Sequence, residues 1–416
     1  MHIAIDARMY GTAQRGIGRY LMKLIEGLEE IEIAPTPPNL PSGRGGNLYT
    51  IFLRRENFDE YQPRNPNFKK ALWNAPWYGL KEQINFKQLT AVNCEPMAVN
   101  SIYHFPHWNV PLLFRQPFVV TIHDLELFSS NRTRENTTRG RLIYWLKFQA
   151  FKIIFRHAVL AARGIIVPSN YAREQLLDLY PQARKKVRVI YEAPALVNSS
   201  QSTVHSKPKQ AVNREPLTDD YVLYVGAAYP HKNLPRLFEA WKIVHAQLPD
   251  YKLVLVGRED WFWKKLKAQW GHNPSHPPLT LRGGDDRDPP LKVRGGRGSY
   301  GQQNDIIFYG ETTDAELTAL YQNAALLVQP SLTEGFSLPP LEALAHGTPV
   351  AVSDIPVHRE ILGQAAAYFD PKNPAAIANV IIHTLRNPII AKLPRTYSWR
   401  ENAQQTRALY ETVKIV

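Results

Sequence analysis

Two glutamates in a short proline-containing segment are the residues whose spacing points most clearly to chemistry. The segment EGFSLPPLEALAHGTPV occupies residues 334–350, and seven residues separate Glu334 from Glu342. Pro339 and Pro340 suit the opening turn of a helix, where a missing backbone N–H costs nothing. The spacing therefore predicts that Glu342 lies in the first helical turn, where its carboxylate can accept hydrogen bonds from two adjacent hydroxyls of a ligand.

The loop before this helix has the character of an anion-binding site. Gly335 follows the first glutamate, and the backbone amides of Phe336, Ser337 and Leu338 precede the two prolines. These amides would face outward from the carboxyl end of the strand ALLVQPS, together with the positive end of the helix, which favours phosphate. The alternative is that Glu342 is only a capping acid of an ordinary helix.

Polar residues also end two strands in the amino-terminal half. His123 and Asp124 close the apolar strand PFVVTIHD, and His104 and His107 end the strand in SIYHFPHW. Polar side chains at such positions must be exposed or paired, so we expect His123 and Asp124 at a cleft along the carboxyl edge of the sheet. The alternatives are a structural strand cap for the first pair and ordinary loop histidines for the second.

Alternating strands and helices must position these residues. Apolar runs without polar alternation are typical of parallel strands that are covered on both faces. The predicted strands are HIAIDA, NLYTIFL, SIYHF, PFVVTIHD, GIIVPS and VRVIYE in the first half, and YVLYVGA, YKLVLVG, DIIFYG, ALLVQPS and TPVAVSD in the second. Apolar residues at three- and four-residue spacing from Ile17 to Leu28 predict a helix after the first strand, and Leu234 to Gln247 predicts another. The fold class is therefore α/β, with two doubly wound parallel sheets facing each other.

The domain boundaries follow from changes in composition. We predict an amino-terminal Rossmann-like domain over 1–197, a polar linker over 198–216 and a second Rossmann-like domain over 217–396. The helix in 397–416 is expected to pack back on the first domain. Repeat-like stretches rich in Pro, Gly and Arg, at about 271–304 and at 34–47, predict surface insertions, with a basic docking arm as the alternative.

The composition excludes several classes of protein. The chain has 416 residues, a formal net charge of +13 and one cysteine. A single cysteine, Cys94, cannot form an internal disulfide framework or a zinc finger, and no aromatic RNA-binding signature is present. Nucleic-acid binding is therefore disfavoured. The sequence shows no signal peptide or bilayer-spanning run, so we expect a soluble, cytoplasmic protein. The basic excess favours an anionic ligand or membrane surface.

The segment 334–350 resembles the signature of the family-4 retaining glycosyltransferases, which have the two-domain GT-B fold. Other stretches agree in order along most of the chain outside the insertions: GIGRY, TIHDL, VPSNYA, HKNL, AYFDPKNPAAIANVI and SWRENA. Ser337 stands where this family more often has glycine. Ala227 stands five residues before Lys232, where many relatives have an arginine.

The resemblance implies roles for individual residues. Glu334 would bind hydroxyls of the transferred sugar, Glu342 the ribose of the nucleotide, and Lys232 the diphosphate, whose charge increases as it leaves. His123 would hydrogen-bond the sugar near the reacting carbon. The remaining residues assigned by the resemblance are a glycine loop over the donor phosphates (Gly16, Gly18, flanked by Arg15 and Arg19), Tyr309 near the base, and Asp124 and His107 on the acceptor side.

The resemblance also implies transfer of a hexose, with mannose favoured, from a GDP- or UDP-linked sugar to a glycan or lipid-linked acceptor. The diphosphate would take the acceptor's proton, and neither a metal nor a separate cofactor is expected. Asp286 and Asp288 fit an Asp-x-Asp manganese pattern but lie in the insertion, so we interpret them as chance. The helix RLIYWLKFQAFKIIFRH would suit peripheral contact with the anionic inner face of a membrane, and a core helix with a solvated cationic face is the alternative.

Two other functions remain open at this point. One keeps the fold and changes the reaction to a sugar-nucleotide epimerase or a phosphorylase. The other is a non-catalytic relative that binds glycan or nucleic acid, which Ala227 and the insertions favour. The joint presence of His123, Lys232, Glu334 and Glu342 favours the transferase.

Overall fold

The computed structural model describes most of the predicted elements. The described residues are 1–11, 15–32, 46–77, 82–83, 89, 91–92, 95–96, 101–129, 141–194, 220–270, 305–388 and 393–413. The predicted linker, the repeat-like insertion at 271–304 with Asp286 and Asp288, most of 34–47, and Cys94 lie outside these ranges.

The first half of the chain forms a seven-stranded parallel sheet. Its strands, in chain order, are β1 (His2–Asp6), β2 (Leu48–Leu53), β3 (Phe68–Leu72), β6 (Ser101–Phe105), β7 (Phe118–Thr121), β8 (Gly164–Val167) and β9 (Val187–Val189), and a short antiparallel pair comprises β4 (Ala91–Val92) and β5 (Glu95–Pro96). The spatial order is β3-β2-β1-β6-β7-β8-β9, so the winding direction reverses between β1 and β6. The helices are α1 (Arg15–Glu32), α2 (Glu126–Ser129), α3 (Arg141–Ala161) and α4 (Asn170–Leu179).

The second half forms a six-stranded parallel sheet. Its strands are β10 (Tyr221–Val225), β11 (Lys252–Val256), β12 (Ile306–Gly310), β13 (Leu326–Gln329), β14 (Val350–Ser353) and β15 (Ala367–Phe369), in the spatial order β12-β11-β10-β13-β14-β15. The helices are α5 (Leu234–Gln247), α6 (Trp261–Trp270), α7 (Asp314–Asn323), α8 (Leu338–Ala345), α9 (Pro356–Leu362), α10 (Pro374–Arg386) and α11 (Trp399–Thr412). Here the reversal lies between β10 and β13.

The two sheets confirm the predicted α/β class. The central strands are buried along their whole length, because helices cover both faces of each sheet. A doubly wound sheet opens a crevice at the carboxyl ends of the strands on either side of its reversal point. Each half of the chain therefore offers such an edge, and the predicted site residues follow strands that end there.

The last helix, α11, lies against the amino-terminal half. Gly27 of α1 permits this, because a Cβ at that position would be 3.0 Å from the carbonyl oxygen of Trp399 and 2.9 Å from the Cβ of Ala403. Farther along α11, the hydroxyl of Tyr410 bonds to Nδ1 of His104 at 2.6 Å, and Nε2 of His104 bonds to Thr121 Oγ1 at 2.9 Å. His104 is thus a buried structural histidine that ties β6 and β7 to α11.

Candidate active site

Lys232 and Glu334 form an ion pair at the carboxyl edge of the second sheet. The Lys232 ammonium lies 2.7 and 2.8 Å from the two oxygens of Glu334. Ser331 Oγ, at 2.6 Å, and Gln329 Nε2, at 3.2 Å, also donate to Glu334 Oε1. Because the Glu334 side chain is only 9% exposed, these donors replace the water that a carboxylate would otherwise bind.

The surroundings of Glu334 keep it ionised. Burial by itself would raise the pKa of this carboxyl, but the charge of Lys232, with further contributions from His231 and the hydrogen bonds, lowers the pKa to about 2. The pair therefore presents a fixed carboxylate beside a fixed ammonium at neutral pH.

Asn233 sets the position of Lys232. This residue has a left-handed backbone, with φ of 62°, between a 3-10 turn (Pro230–Lys232) and α5. Its buried side-chain amide donates to the carbonyl oxygens of Pro330, at 3.0 Å, and Pro371, at 2.7 Å. Asparagine tolerates this conformation and supplies both donors, so it holds the lysine loop against the segment that carries Glu334.

Gly335 is where the two halves of the chain meet. A Cβ at this position would lie 1.9 Å from the carbonyl oxygen of His123, so only glycine fits. The carbonyl of Gly335 also accepts a hydrogen bond from Ser169 Oγ at 2.8 Å. The carboxyl ends of β7 and β8 therefore both lie against the loop that follows β13.

The start of α8 differs in one detail from the expectation. The helix begins at Leu338, and Glu342 lies in its second turn rather than its first. Ser337 precedes the helix with φ of 74°, a conformation that favours glycine. Its hydroxyl lies 3.2 Å from Nε2 of His358. Phe336 is buried, and its ring packs near the rings of Tyr191 and Tyr397 rather than in the cleft.

Glu342 is buried beside the amino-terminal half. The Tyr321 hydroxyl donates to its Oε2 at 2.8 Å, and an Nη of Arg19 lies 3.7 Å from its Oε1. Arg19 also pairs with Asp314 at 2.6 Å. An arginine near the start of α1 therefore reaches across the cleft to the predicted ribose-binding carboxylate.

The glycine loop lies at the start of α1, and Tyr309 lies at the carboxyl end of β12. Gly16 is exposed, with open space where a side chain would begin, and Gly18 is buried. Tyr309 is half-buried near the carboxyl end of β12, followed by Gly310 with φ of 85°. The structure brings Arg19 to Glu342, and Tyr309 packs against the hydrophobic cluster that contains Phe336.

His123 is held from two sides. Its Nδ1 lies 3.0 Å from a Glu192 oxygen and its Nε2 lies 3.1 Å from the carbonyl oxygen of Pro106. Both partners are acceptors, so both ring nitrogens carry a proton. Burial lowers the pKa of His123, but Glu192 and Asp124 outweigh it and raise the pKa above its usual value. Glu192, which no sequence pattern singled out, is the partner that fixes this ring.

A cavity at the junction of the two halves contains several predicted residues. About 310 Å³ of empty space lies in this cleft, part of it open solvent. Its lining residues are Asp124, Leu125, Glu126, Gln175, His231, Lys232, Thr333, Glu334 and Gly335. Carboxylates, an amide, an imidazole and an ammonium around one small space suit a ligand rich in hydroxyls next to an anion.

Leu125, Glu126, Gln175 and Thr333 are lining residues that the sequence did not single out. His231 contacts Glu126 across the cleft, so this pair closes one wall. His107 is absent from the lining; burial and the nearby charges of His123 and Arg8 lower its pKa to about 3. Within the described ranges, no group of three His, Cys, Asp or Glu side chains could hold a metal ion.

Family comparisons cover both halves of the chain. The family model described as Glycosyltransferase Family 4 matches residues 15–193, and the one described as Glycosyl transferases group 1 matches residues 206–406. The first match covers the strands of the first sheet that follow β1, and the second covers every strand of the second sheet.

Two curated relatives are O-antigen chain mannosyltransferases. RfbU of Salmonella typhimurium is 28% identical over 266 residues, which cover 64% of this chain and 59% of the relative. Mannosyltransferase B of Escherichia coli is 26% identical over 304 residues, covering 73% of this chain and 67% of the relative. The chain thus spans about three fifths to two thirds of the length of these proteins.

Solved structures share the whole fold. Sucrose-phosphate synthase from Thermosynechococcus elongatus gives a TM-score of 0.57 at 19% identity and covers 99% of this chain and 96% of its own. A glycosyltransferase from Rickettsia africae gives 0.55 at 14% identity, covering 99% and 98%. At these identities the likeness shows a common architecture. None of the helices in the described ranges combines the length and apolar content needed to cross a membrane.

Proposed function

Because the chain belongs to the group 1 glycosyltransferases of the GT-B fold, we propose that it moves a hexose from a nucleotide-diphosphate sugar to a glycan or lipid-linked acceptor with retention of configuration. The observation that carries this proposal is the Lys232–Glu334 pair in a cavity shared by both halves of the chain. A carboxylate for sugar hydroxyls and an ammonium for the leaving diphosphate lie side by side there.

The reaction places charge where the site has complementary groups. The bond between the sugar's anomeric carbon and the diphosphate oxygen breaks, and the diphosphate gains about one negative charge, which Lys232 stabilises. The acceptor oxygen bonds to the same face of that carbon, and its proton passes to the departing diphosphate oxygen. Glu334 holds sugar hydroxyls, and Glu342 holds the ribose. No metal or separate cofactor is required, because Lys232 and the amides at the start of α8 offset the charge.

Lys232 has to exchange partners during this cycle. In the structure it donates to both oxygens of Glu334. A donor that binds Lys232 through phosphate therefore loosens the pair and frees a Glu334 oxygen for the sugar. His123, whose two ring nitrogens already have protein partners, acts in this scheme as a fixed cation beside the sugar pocket unless it exchanges one of them.

Mannose from a GDP- or UDP-linked donor is the favoured substrate. The support is that both curated relatives reported above carry the name mannosyltransferase. We propose that the enzyme acts in the cytoplasm, as a peripheral protein on the inner face of the membrane.

A thermal-shift panel tests the proposal. GDP, UDP, ADP and their mannose, glucose and N-acetylglucosamine conjugates are added to the whole protein. A ligand at about 100 times its dissociation constant stabilises a fold by roughly 2.7 kcal/mol, so one nucleotide series should raise the melting temperature selectively. Glu342→Gln should lose that shift, whereas Glu401→Gln, on the exposed face of α11, should keep it.

Product analysis completes the test. Transfer with retention predicts that the new linkage has the anomeric configuration of the donor, as read by NMR coupling constants. An inverted linkage would overturn the proposed stereochemistry. Release of an epimerised sugar from the donor alone would show that the protein is an epimerase and not a transferase. No shift with any nucleotide would favour a non-catalytic relative.

A further inference from the structure

The outer face of α3 is apolar where a solvent-facing helix is normally polar. Trp145, Leu146 and Ile153 are 55%, 54% and 59% exposed. Leu146, Ala150 and Ile153 follow one another at four- and three-residue spacing, so they form one stripe on the helix. The opposite face packs into the core through residues such as Phe151 and Phe155. The helix thus has two apolar faces, and only one has a partner within the described chain.

A neighbouring loop extends this stripe. Leu113 is 63% exposed, and Pro111 and Arg115 of the same loop lie close enough to His157 of α3 to change the pKa of its ring. The loop therefore borders the helix close to Ile153, one turn before His157. We call the surface formed by Leu113, Trp145, Leu146 and Ile153 the α3 face.

Cations flank the α3 face. Lys147, Lys152 and Arg156 lie on the same helix, and Arg115 lies near His157, whose pKa is lowered by burial and by this arginine. Neither the helix segment 141–163 nor the loop segment 110–117 contains an Asp or Glu. A partner with an apolar interior and an anionic surface complements both features at once.

We infer that the α3 face docks on the surface of an anionic phospholipid bilayer. Its large apolar side chains enter the boundary between headgroups and acyl chains, and the flanking lysines and arginines bind lipid phosphates. This inference deepens the proposed function and rests on it in one respect: docking makes the acceptor a lipid-linked one.

The fold connects this face to the acceptor side of the site. Trp108 packs with its ring 4.6 Å from that of Phe151, on the core side of α3. The preceding residue, His107, follows β6 at the carboxyl edge of the first sheet. It lies close enough to His123 that the charge of His123 lowers the pKa of His107. A helix docked on the bilayer would thus hold the acceptor side of the cleft near the lipid, within reach of a glycan carried on a lipid anchor.

Vesicle flotation of the full-length protein tests the docking surface. The probes are vesicles of phosphatidylglycerol mixed with phosphatidylcholine, and vesicles of phosphatidylcholine alone. The protein should bind the anionic vesicles, bind less at high salt, and bind the neutral ones weakly. Leu146→Glu combined with Ile153→Glu should reduce the vesicle partition coefficient at least about tenfold, since each replaces a large apolar contact with a like charge.

A matched pair of tryptophans provides the control. Trp145→Glu should lower vesicle binding, whereas Trp261→Glu, at a similarly exposed position on α6 in the other half of the chain, should leave it unchanged. Equal losses in both variants, or no binding of the wild type to anionic vesicles, would overturn the inference. So would a concentration-dependent dimer that the double variant dissolves, because a second copy would then cover the face.

Nucleotide binding in the same variants separates the two proposals. The thermal shift with donor should persist in the wild type and in all three variants, since neither the α3 face nor Trp261 contributes a lining residue to the site cavity. Vesicle binding lost with donor binding kept would confirm the docking surface. Donor binding absent in the wild type, with vesicle binding intact, would refute only the proposed reaction.

Discussion

Replacing Lys232 by methionine should reverse the direction in which the titration of Glu334 changes the free energy of unfolding. In the wild type the pKa of Glu334 is about 2, against 4.5 for an ordinary glutamate. That difference corresponds to about 3 kcal/mol of folding free energy at neutral pH. Because the folded pKa is depressed, this contribution is present above pH 4.5 and is lost as the pH falls towards 2.

Lys232→Met removes the main charge that opposes burial of the carboxylate. Burial is the largest single influence on the pKa of Glu334 and raises it, so in the variant the pKa should lie above its ordinary value. The free energy of unfolding at pH 7 should fall by about 3 kcal/mol, and it should recover in part, rather than fall, as the pH is lowered through the new pKa.

The double variant Lys232→Met with Glu334→Gln is the decisive comparison. It leaves no unpaired charge in the site, so urea denaturation at pH 7 should show stability closer to the wild type than to the single variant. Turnover of nucleotide sugar should nevertheless be lost in both. If the free energy of unfolding is equally low in the single and double variants, the loss does not come from an unpaired carboxylate. If the single variant loses less than about 1 kcal/mol, the ion pair is not formed in the free protein.

Three further predictions concern the contacts between elements. Gly335→Ala should lower turnover about a hundredfold, because the added Cβ forces the loop away from the carbonyl of His123; steady-state rates alongside circular dichroism test this, and turnover within a factor of two of wild type would contradict it. Burial lowers the pKa of His104 and of His107 to about 3, so their contribution to the free energy of unfolding is complete above pH 6.5 and is lost as the pH falls towards 3. His104→Gln should therefore reduce the change of the urea midpoint with pH over this range. An unchanged pH dependence of the urea midpoint would contradict the reasoning. The carboxylate of Glu360 accepts hydrogen bonds from two backbone N–H groups at the start of α4, at 2.7 and 3.0 Å. Glu360→Gln should therefore lower the free energy of unfolding, followed by thermal melts, by about 1 kcal/mol. An unchanged melting curve would mean that other contacts hold the two halves together.

Local patterns were sufficient for the architecture. The unbroken apolar runs predicted buried parallel strands, and both doubly wound sheets are present. The helix over Leu234–Gln247 was predicted with its observed bounds. The sequence patterns missed β3, whose FKKAL places two lysines in a strand, and β15, which is only three residues long. Short or half-polar strands carry too weak a period to be recognised without their neighbours.

Single positions, too, were predicted where the pattern is local and were explained only by the tertiary structure where it is not. Glu334 and Glu342 were found from the sequence because seven residues and two prolines make a local pattern, and that pattern predicted the helix but put Glu342 one turn too early. Glycine at 335 was noted only as part of the motif. Its steric reason, the carbonyl of His123 against it, appears only in three dimensions.

The sequence by itself determined which strands and helices form, and which family signature they carry, since both depend on neighbours along the chain. The tertiary structure decided which charges meet. Lys232 and Glu334 are 102 residues apart, and the pairing of His123 with Glu192 spans 69. Such pairs are set by how strand ends converge at the reversal points of the two sheets, and a linear pattern leaves every acid in the chain as an equally eligible partner for every base.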